Sequence, residues 1–237
     1  MNGRTVLVTG ATNGIGLESA AVLAGMGANV IIVGRDSGRI EKALAEIKAR
    51  SGVSAVSYLC DFSSLKAVNR LADEVLKDVP ALHVLINNAG SVFARRTMTA
   101  EGLEATFAVN HLAPFLLTQR LLPRLLACAP ARIVTVASGA HRKGTMDFDD
   151  LGFARGYQVL RAYSRSKLAN VSFGLEQSRR LAGTGVTSNS LTPGSVATNI
   201  WSGAPTWSKP IIRFWLSRSM MPVGEGAAPV EIGRAHV

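Results

Sequence analysis

The chain has 237 residues, of which 47% are apolar and 18% are charged, a balance that is typical of a globular protein and excludes a wholly disordered one. The net charge is +10, but the basic residues are scattered and form no run interleaved with aromatic residues, so the sequence predicts no nucleic-acid partner. No apolar run reaches the roughly 18 residues that span a bilayer, and strand-like sequence begins at once, so we expect neither a transmembrane segment nor a signal peptide.

Apolar runs alternate with amphipathic stretches along the chain. Six runs read as buried strands: RTVLVTG, NVIIVG, SAVSYLC, ALHVLIN, ARIVTVAS and a run within GVTSNSLTPG. Helices are predicted at 14–26, 37–50, 63–78, 100–128 and 157–182. Continuous Val/Ile/Leu strands separated by helices predict a parallel sheet that is covered on both faces. The sequence therefore predicts an α/β fold, a single Rossmann-type doubly wound parallel sheet with helices on both faces, in one domain over residues 1–230.

Two cysteines, Cys60 and Cys128, lie in apolar surroundings without the spacing of a metal site. We interpret them as buried thiols of a reducing compartment, and we expect a cytoplasmic location with no metal.

The first predicted strand runs directly into the glycine-rich stretch TGATNGIG, in which Gly10, Gly14 and Gly16 crowd the turn before the next helix. Such glycines let the backbone approach a pyrophosphate, and a helix N-terminus offers N–H groups and a positive dipole end. The spacing is GxxxGxG rather than the GxGxxG of the usual dinucleotide fingerprint. Its place after the first strand favours a dinucleotide site over a tight turn without a ligand.

The second predicted strand ends in VGRD, which places Arg35 and Asp36 where dinucleotide folds bind the adenine ribose. An acidic residue there binds the ribose hydroxyls of NAD, whereas an arginine accommodates the 2′-phosphate of NADP. Arg35 occupies the deciding place, so the sequence favours NADP over NAD. Asp36 leaves room for NAD, or caps the following helix.

Tyr163 and Lys167 lie four residues apart within AYSRSKLAN, on one face of the predicted helix. A neighbouring cation lowers the pKa of a tyrosine, which can then exchange protons near neutral pH. Such a pair is also common on ordinary helices, and it indicates catalysis where a cofactor and a third polar group converge. Ser138, after the fifth predicted strand, offers that group, although serines at strand ends often serve as turn or cap residues.

Seven motifs occur in order between residue 4 and about residue 198. They are TGATNGIG, CDF at 60–62, NNAG at 87–90, Asn110, Ser138, YSRSK and LTPGSVAT. This combination resembles the short-chain dehydrogenase/reductase family. The retinol-dehydrogenase-like branch of this family is the most similar in the detailed sequence of three segments: GRTVLVTGATNGIG, VNHLAPFLLTQRLLP and YSRSKLAN. That branch is also similar in carrying an insertion between the serine and the tyrosine, here HRKGTMDFDDLGFARG.

The resemblance implies four catalytic residues. Tyr163 would be the general acid/base, and Lys167 would lower its pKa and hold the nicotinamide ribose. Ser138 would hydrogen-bond the substrate carbonyl. Asn110 would hold a water that links Lys167 to solvent.

The resemblance also implies a set of cofactor contacts at the carboxyl edge of the sheet. Asp61 would bind the adenine amino group, Asn87, Ala89 and Gly90 would line the adenosine ribose and support the central strand, and Pro193, Gly194 and Thr198 would meet the nicotinamide. The complete expected set is Gly10, Thr12, Asn13, Gly14, Ile15, Gly16, Arg35, Asp61, Phe62, Asn87, Ala89, Gly90, Tyr163, Lys167, Pro193, Gly194, Val196 and Thr198.

The segment 199–222 carries all three tryptophans, and we expect it to form a lid over the active site. Its apolar surface is consistent with a lipophilic substrate, with peripheral contact to a membrane, or with packing against its own protein or a second subunit.

The last seven residues, EIGRAHV at 231–237, resemble the in-frame translation of a common sequencing adapter. We expect this tail to be non-native and the domain to be truncated at its C-terminus. An ordinary short tail is the alternative.

These features predict an NADP-dependent oxidoreductase that acts on a small-molecule carbonyl or alcohol. A catalytically silent NADP(H)-binding sensor is the alternative, but a sensor needs no acid/base tyrosine. A sugar-nucleotide epimerase or dehydratase is less consistent with the short chain, which leaves no room for a large C-terminal substrate domain. The helices predicted at 100–128 and 157–182 are candidates for a homodimer interface.

Overall fold

The computed structural model of the chain describes residues 1–193, in which six strands alternate with helices. The strands are β1 Thr5–Thr9, β2 Asn29–Gly34, β3 Val56–Leu59, β4 Val84–Asn87, β5 Ala131–Val136 and β6 Val186–Leu191. The helices are α1 Gly14–Gly25, α2 Ser37–Ser51, α3 Leu65–Asp78, α4 Ala105–Phe107, α5 Ala113–Ala127 and α6 Val159–Arg180. A π-helical segment, Ala108–Leu112, joins α4 to α5, and a 3₁₀ turn, Gly139–Lys143, follows β5.

All six described strands pair in parallel, in the order β3-β2-β1-β4-β5-β6. This is the strand order of the doubly wound dinucleotide fold, so the predicted fold class is confirmed. The order reverses between β1 and β4, where the connections leave in opposite directions. A crevice opens at such a point, beyond the carboxyl ends of the strands.

The central strands are apolar on both faces because each face packs against helices. Along β1, Leu7 faces the core that α3 and α5 cover, whereas Val6 and Val8 face the core beneath α1 and α2. All three side chains are fully buried. A strand between two helical layers needs no polar face, which explains why the strands read as continuous rather than alternating apolar runs.

The helix predicted over 100–128 starts later than expected and is irregular. Residues 99–103 form a turn instead, in which Thr99 N–H donates to the Leu103 carbonyl (2.8 Å) and Gly102 has a φ of +75°. The Glu104 carboxylate then caps α4 by accepting the N–H groups of Thr106 and Phe107, each at 2.8 Å. The prediction was wrong here because the apolar spacing continues through the turn and does not reveal the positive φ at Gly102.

None of the helices within residues 1–193 is both long enough and apolar enough to span a membrane. Both cysteines are free thiols; Cys60 is buried as expected, whereas Cys128 is only half-buried. The expected lid at 199–222, the contacts Gly194, Val196 and Thr198, and the tail 231–237 lie outside the described residues.

Candidate active site

A cleft of about 880 Å³ opens at the carboxyl ends of the strands, where the strand order reverses. One of its ends lies beside the start of α2 and the loop after β3, and the other lies beside the loop after β5 and the first turns of α6. An elongated cleft at this edge suits a dinucleotide, whose two halves lie on either side of the reversal.

The glycine-rich turn lies on the floor of the cleft and brings the backbone close to β4. Gly10 has a φ of +66° and donates its N–H to the Val33 carbonyl (2.9 Å). A Cβ added at Gly10 would lie 2.8 Å from Ala89 Cα, and one added at Gly16 would lie 2.4 Å from Asn88 Nδ2. Both distances are shorter than real carbon contacts, so the turn is built for glycine at these two positions.

The N-terminus of α1 faces the cleft without a side-chain cap. Asn13 occupies the N-cap position, but its side chain makes no capping hydrogen bond. By contrast, Asp36 and Ser64 cap α2 and α3 by accepting the N–H groups of Arg39 and Ala67. The first N–H groups of α1, together with the glycine turn, therefore fit the pyrophosphate of a dinucleotide.

Asn88 connects the glycine turn to β4. Its Nδ2 donates to the carbonyls of Thr9 (2.9 Å) and Gly10 (3.1 Å). The Thr9 hydroxyl accepts the N–H groups of Asn88 and Ala89, each at 3.0 Å. These bonds hold the ends of β1 and β4 together at the reversal. Asn88 lies within the motif NNAG, but sequence reasoning gave it no role, because the motif does not show which of its asparagines faces β1.

Arg35, Asp36 and Arg39 line the end of the cleft beside α2, and all three are exposed. Asp36 Oδ1 accepts the Arg39 N–H at 2.8 Å, so the capping role left open by the sequence is the one observed. Across the cleft lie Asp61, whose Oδ1 accepts the Ser63 N–H (2.9 Å), and the buried Phe62. Two arginines, Arg35 and Arg39, thus line this end of the cleft.

Ser138, Tyr163 and Lys167 meet at the other end of the cleft. The side chains of Ser138 and Tyr163 lie close enough for the serine to influence the pKa of the phenol. Ser138 Oγ also accepts the Ala140 N–H (3.2 Å), so this serine caps the 3₁₀ turn as well. Lys167 Nζ lies 5.7 Å from the centre of the Tyr163 ring and donates to the Val136 carbonyl at 2.9 Å.

Burial governs the protonation of this group. It raises the pKa of the Tyr163 phenol, and the hydrogen bond from Ser138 opposes that change. Burial also lowers the pKa of Lys167 to about 8. In this structure the pKa of Tyr163 is therefore higher than usual, opposite to the expected lowering by Lys167. Desolvation of the phenolate outweighs a cation that is itself buried and points to a carbonyl.

Asn110 is fully buried behind the cleft, in the π-helical segment. Its Oδ1 accepts the Ser91 N–H (2.7 Å), and its Nδ2 donates to the Ser91 carbonyl (3.0 Å) and to Ser166 Oγ (3.1 Å). Its main-chain carbonyl accepts Asn170 Nδ2 at 2.9 Å. Asn110 thus connects the loop after β4 to α6, a structural task that the sequence did not predict. The water that it was expected to hold for Lys167 stays a prediction.

Asn87 lies below the cleft rather than along it. Its side chain is buried, and its Nδ2 donates to Thr118 Oγ1 (2.9 Å) and Thr135 Oγ1 (3.5 Å). It joins β4 to β5 and α5, which fits the expected support of the central strand but not a place beside the ribose. A residue that alternates inward on a strand cannot also face the ligand.

The segment after the 3₁₀ turn, residues 144–157, is attached to α6 through one arginine. Arg165 donates its Nε to the Thr145 carbonyl (2.9 Å) and its Nη1 to the carbonyls of Asp150 and Leu151. Its guanidinium carbon also lies 3.7 Å from the centre of the Phe153 ring. Residues 144–156 belong to the insertion predicted at 141–156, and they are ordered against α6 beside the tyrosine.

Most of the expected site residues line the cleft: Gly10, Thr12, Asn13, Gly14, Ile15, Gly16, Arg35, Asp61, Phe62, Ala89, Gly90, Ser138, Tyr163, Lys167 and Pro193. Sequence reasoning did not assign Arg39, Asn88, Ser91, Arg142 and Leu160, which also line it. Leu160 lies one helical turn before Tyr163 on α6, and that spacing could have indicated this residue. Arg39 lies in the first turn of α2, and no spacing in the sequence relates it to Arg35.

A family model described as short chain dehydrogenase matches residues 4–209. The chain belongs to the short-chain dehydrogenase family. Members of this family use a nicotinamide cofactor, and the glycine turn, the uncapped start of α1 and the strand reversal together fit such a group.

Among curated relatives, retinol dehydrogenase 14 from Homo sapiens is 44% identical over 214 residues, which cover 84% of this chain and 64% of that protein. Dehydrogenase/reductase SDR family member 13 from Bos taurus is 42% identical over 217 residues, covering 90% of this chain and 57% of that protein. The chain thus spans less than two thirds of the length of these relatives.

Two solved structures show the same fold. An uncharacterized protein from Mycobacterium Paratuberculosis has a TM-score of 0.78 at 34% identity, covering 98% of this chain and 76% of its own. The RhlG/NADP active-site complex from Pseudomonas aeruginosa has a TM-score of 0.76 at 26% identity, covering 96% of this chain and 88% of its own.

Proposed function

We propose that the chain is an NADP-dependent oxidoreductase that transfers a hydride between nicotinamide and a carbonyl or alcohol carbon. The observation that carries this proposal is the convergence of Ser138, Tyr163 and Lys167 at one end of the dinucleotide cleft, with Lys167 one turn after Tyr163 on α6. A hydroxyl pair of this kind can bind one carbonyl oxygen and give it a proton.

The residues that would hold the cofactor follow the length of the cleft. The backbone of the glycine turn and the start of α1 would bind the pyrophosphate. Arg35 would pair with the 2′-phosphate, and Asp61 would bind the adenine amino group. Lys167 would hold the nicotinamide ribose. When bound, NADP(H) supplies or accepts the hydride, and the protein orients the reactants and handles the proton.

In the reducing direction, the substrate carbonyl oxygen accepts hydrogen bonds from Ser138 and Tyr163. As the carbonyl carbon gains a hydride, the phenolic proton of Tyr163 moves to that oxygen and completes the alcohol. The charge of Lys167 stabilises the phenolate that remains. In the oxidising direction, the phenolate removes the hydroxyl proton. The raised pKa of Tyr163 keeps the phenol protonated at neutral pH, which is the form that reduction requires.

Three observations support NADP over NAD. Arg35 and Arg39 both line the end of the cleft beside α2. Asp36 is occupied as the cap of that helix, so its carboxylate is less available to a ribose. The similar RhlG structure was solved with NADP.

A lipophilic substrate is supported by relatives named retinol dehydrogenases and by the apolar residues at 199–222. The sensor alternative is not favoured, because a protein that only binds a nucleotide needs no buried acid/base tyrosine. Peripheral contact with a membrane, a homodimer formed through α5 and α6, and a cytoplasmic location stay predictions.

The decisive test replaces Tyr163 with Phe and measures NADPH oxidation against a panel of aldehydes and ketones. We expect turnover to fall by about 10³-fold, since the proton donor is lost, while NADPH still binds. Tyr58→Phe is the matched control, because Tyr58 lies on the edge strand β3 and contacts Asp78 rather than the cleft. Full turnover by Tyr163→Phe would refute the assignment.

A further inference from the structure

The carbonyl of Asn110 lacks its usual helical partner. In an α-helix this carbonyl would accept the N–H of residue 114, but that residue is Pro114, which has no N–H. The chain forms a π-helical segment here, in which the Ala113 N–H reaches back five residues to the Ala108 carbonyl. Such segments frequently mark functional sites, and the freed carbonyl needs another donor.

Asn170 supplies that donor from the facing helix. Its Nδ2 lies 2.9 Å from the Asn110 carbonyl, and both residues are at least 98% buried. Because a carbonyl only accepts, the Asn170 amide must present its nitrogen to Asn110 and its oxygen to His111, 3.1 Å away. His111 Nδ1 therefore carries a hydrogen and holds the amide in this orientation.

The same network extends to the cleft. The Asn110 amide holds both the N–H and the carbonyl of Ser91, which lines the cleft directly after Gly90. It also donates to Ser166, whose hydroxyl donates to the Tyr163 carbonyl (2.7 Å). A Cβ placed on Gly90 would lie 3.4 Å from Asn110 Oδ1 and 3.7 Å from Lys167 Nζ, so the Asn110 amide and the catalytic lysine both lie beside Gly90.

We propose that Asn170 is a positioning residue, which holds the carbonyl freed by Pro114 and thereby fixes the Asn110 amide between the loop after β4 and the Tyr163–Lys167 turn. The inference rests on the proposed function for its kinetic consequence. Its structural consequence, the immobilisation of Ser91, does not depend on turnover. Asn170 itself touches neither the cleft nor the reacting groups.

The test uses the full chain with Asn170→Leu, which has a similar volume but no hydrogen bonds, and Asn170→Asp, which keeps the shape but loses the donor. Asn69→Leu is the matched control, because Asn69 accepts a bond from Arg120 (2.7 Å) far from the cleft. Four quantities are measured: NADPH affinity, kcat and KM on one carbonyl substrate, hydrogen exchange at the Ser91 amide, and the unfolding temperature.

We expect both Asn170 variants to lose about 100-fold in kcat with KM and NADPH affinity unchanged, because a small displacement of catalytic groups suffices for such a loss. Exchange at Ser91 should accelerate without a matching change in α5. Unchanged kcat and unchanged exchange at Ser91 would overturn the inference. A uniform rise in hydrogen exchange throughout α5 and α6, together with a lower unfolding temperature, would also overturn the inference, because a residue that only supports the fold gives that result.

The two proposals fail in distinguishable ways. If the wild-type chain binds NADPH but turns over no substrate, the proposed function fails, and faster exchange at Ser91 in the Asn170 variants would still support the positioning role. If the wild type turns over and the variants match it, the positioning role fails alone.

Discussion

Lys167 shows how one side chain is placed for chemistry at the expense of stability. It is buried in α6, and within residues 1–193 its ammonium group donates a hydrogen bond to the Val136 carbonyl. An ammonium group has three donors, so this environment compensates poorly for lost hydration. The pKa of Lys167 is accordingly lowered to about 8, which means that its charged form opposes folding at neutral pH.

Replacing Lys167 with Met should therefore stabilise the fold while removing activity. We expect the free energy of unfolding at pH 7 to rise by up to about 3 kcal/mol, the equivalent of the lowered pKa. The unfolded chain keeps the proton up to about pH 10.4, whereas the folded chain loses it near pH 8, so wild-type stability gains with pH between these values. The advantage of the variant should shrink across the same window.

Urea unfolding at pH 7 and pH 9.5 measures this effect, with the exposed Lys42→Met on α2 as the control. A Lys167→Met protein that is less stable than wild type at pH 7 would show that packing, not desolvation, decides the energetics at this position.

At the scale of elements, the segment 144–157, which contains most of the predicted insertion, depends on α6 for its order. Regular secondary structure is confined to the margins of this segment. Three of its carbonyls nevertheless accept hydrogen bonds from the Arg165 guanidinium, and the Phe153 ring stacks against the same guanidinium. Phe153 has a φ of +47°, an unfavourable conformation that such contacts stabilise. The segment leads directly into the helix that carries Tyr163, so its order bears on the site.

Replacing Arg165 with Met should release the insertion. We expect a loss of about 3 kcal/mol of unfolding free energy, because three part-buried carbonyls lose a charged donor. Limited proteolysis should cleave between residues 144 and 157 faster than in the wild type. The control is Arg161→Met, one turn earlier on α6 and exposed. Equal cleavage rates in the two variants would contradict the attachment through Arg165.

At the scale of the whole molecule, the cleft exists because the six described strands end along one edge and their order reverses between β1 and β4. Its lining comes from segments as distant in sequence as the glycine turn and Pro193. A ligand that binds across this edge joins the two halves of the sheet, so cofactor binding should stabilise the entire described fold.

We expect NADPH at about 100 times its Kd to raise the unfolding free energy by about 2.7 kcal/mol. NADH at the same concentration should raise it less, because it has no 2′-phosphate for Arg35. Thermal unfolding with each nucleotide measures the difference. Arg35→Ala should abolish the preference, whereas Arg95→Ala, exposed and outside the cleft lining, should keep it. Equal shifts with both nucleotides in the wild type would contradict the preference for NADP.

The sequence by itself determined the fold class and most of the residues that line the cleft. Buried strands between two layers of helices must be apolar on both faces, so β1 to β6 could be recognised from the local sequence. Glycines are required where two backbones lie within contact distance, so the turn at Gly10 and Gly16 could be recognised in the same way. The order of the family motifs also indicated Ser138, Tyr163 and Lys167 from the sequence.

The tertiary structure alone decided the start of α4, the π-helical segment before Pro114, the support of Asn110 by Asn170, and the direction of the Tyr163 pKa. Each of these depends on groups distant in sequence, on a positive φ, or on the depth of burial. Spacing along a chain shows which side chains share a face, but desolvation and hydrogen bonding depend on what covers that face.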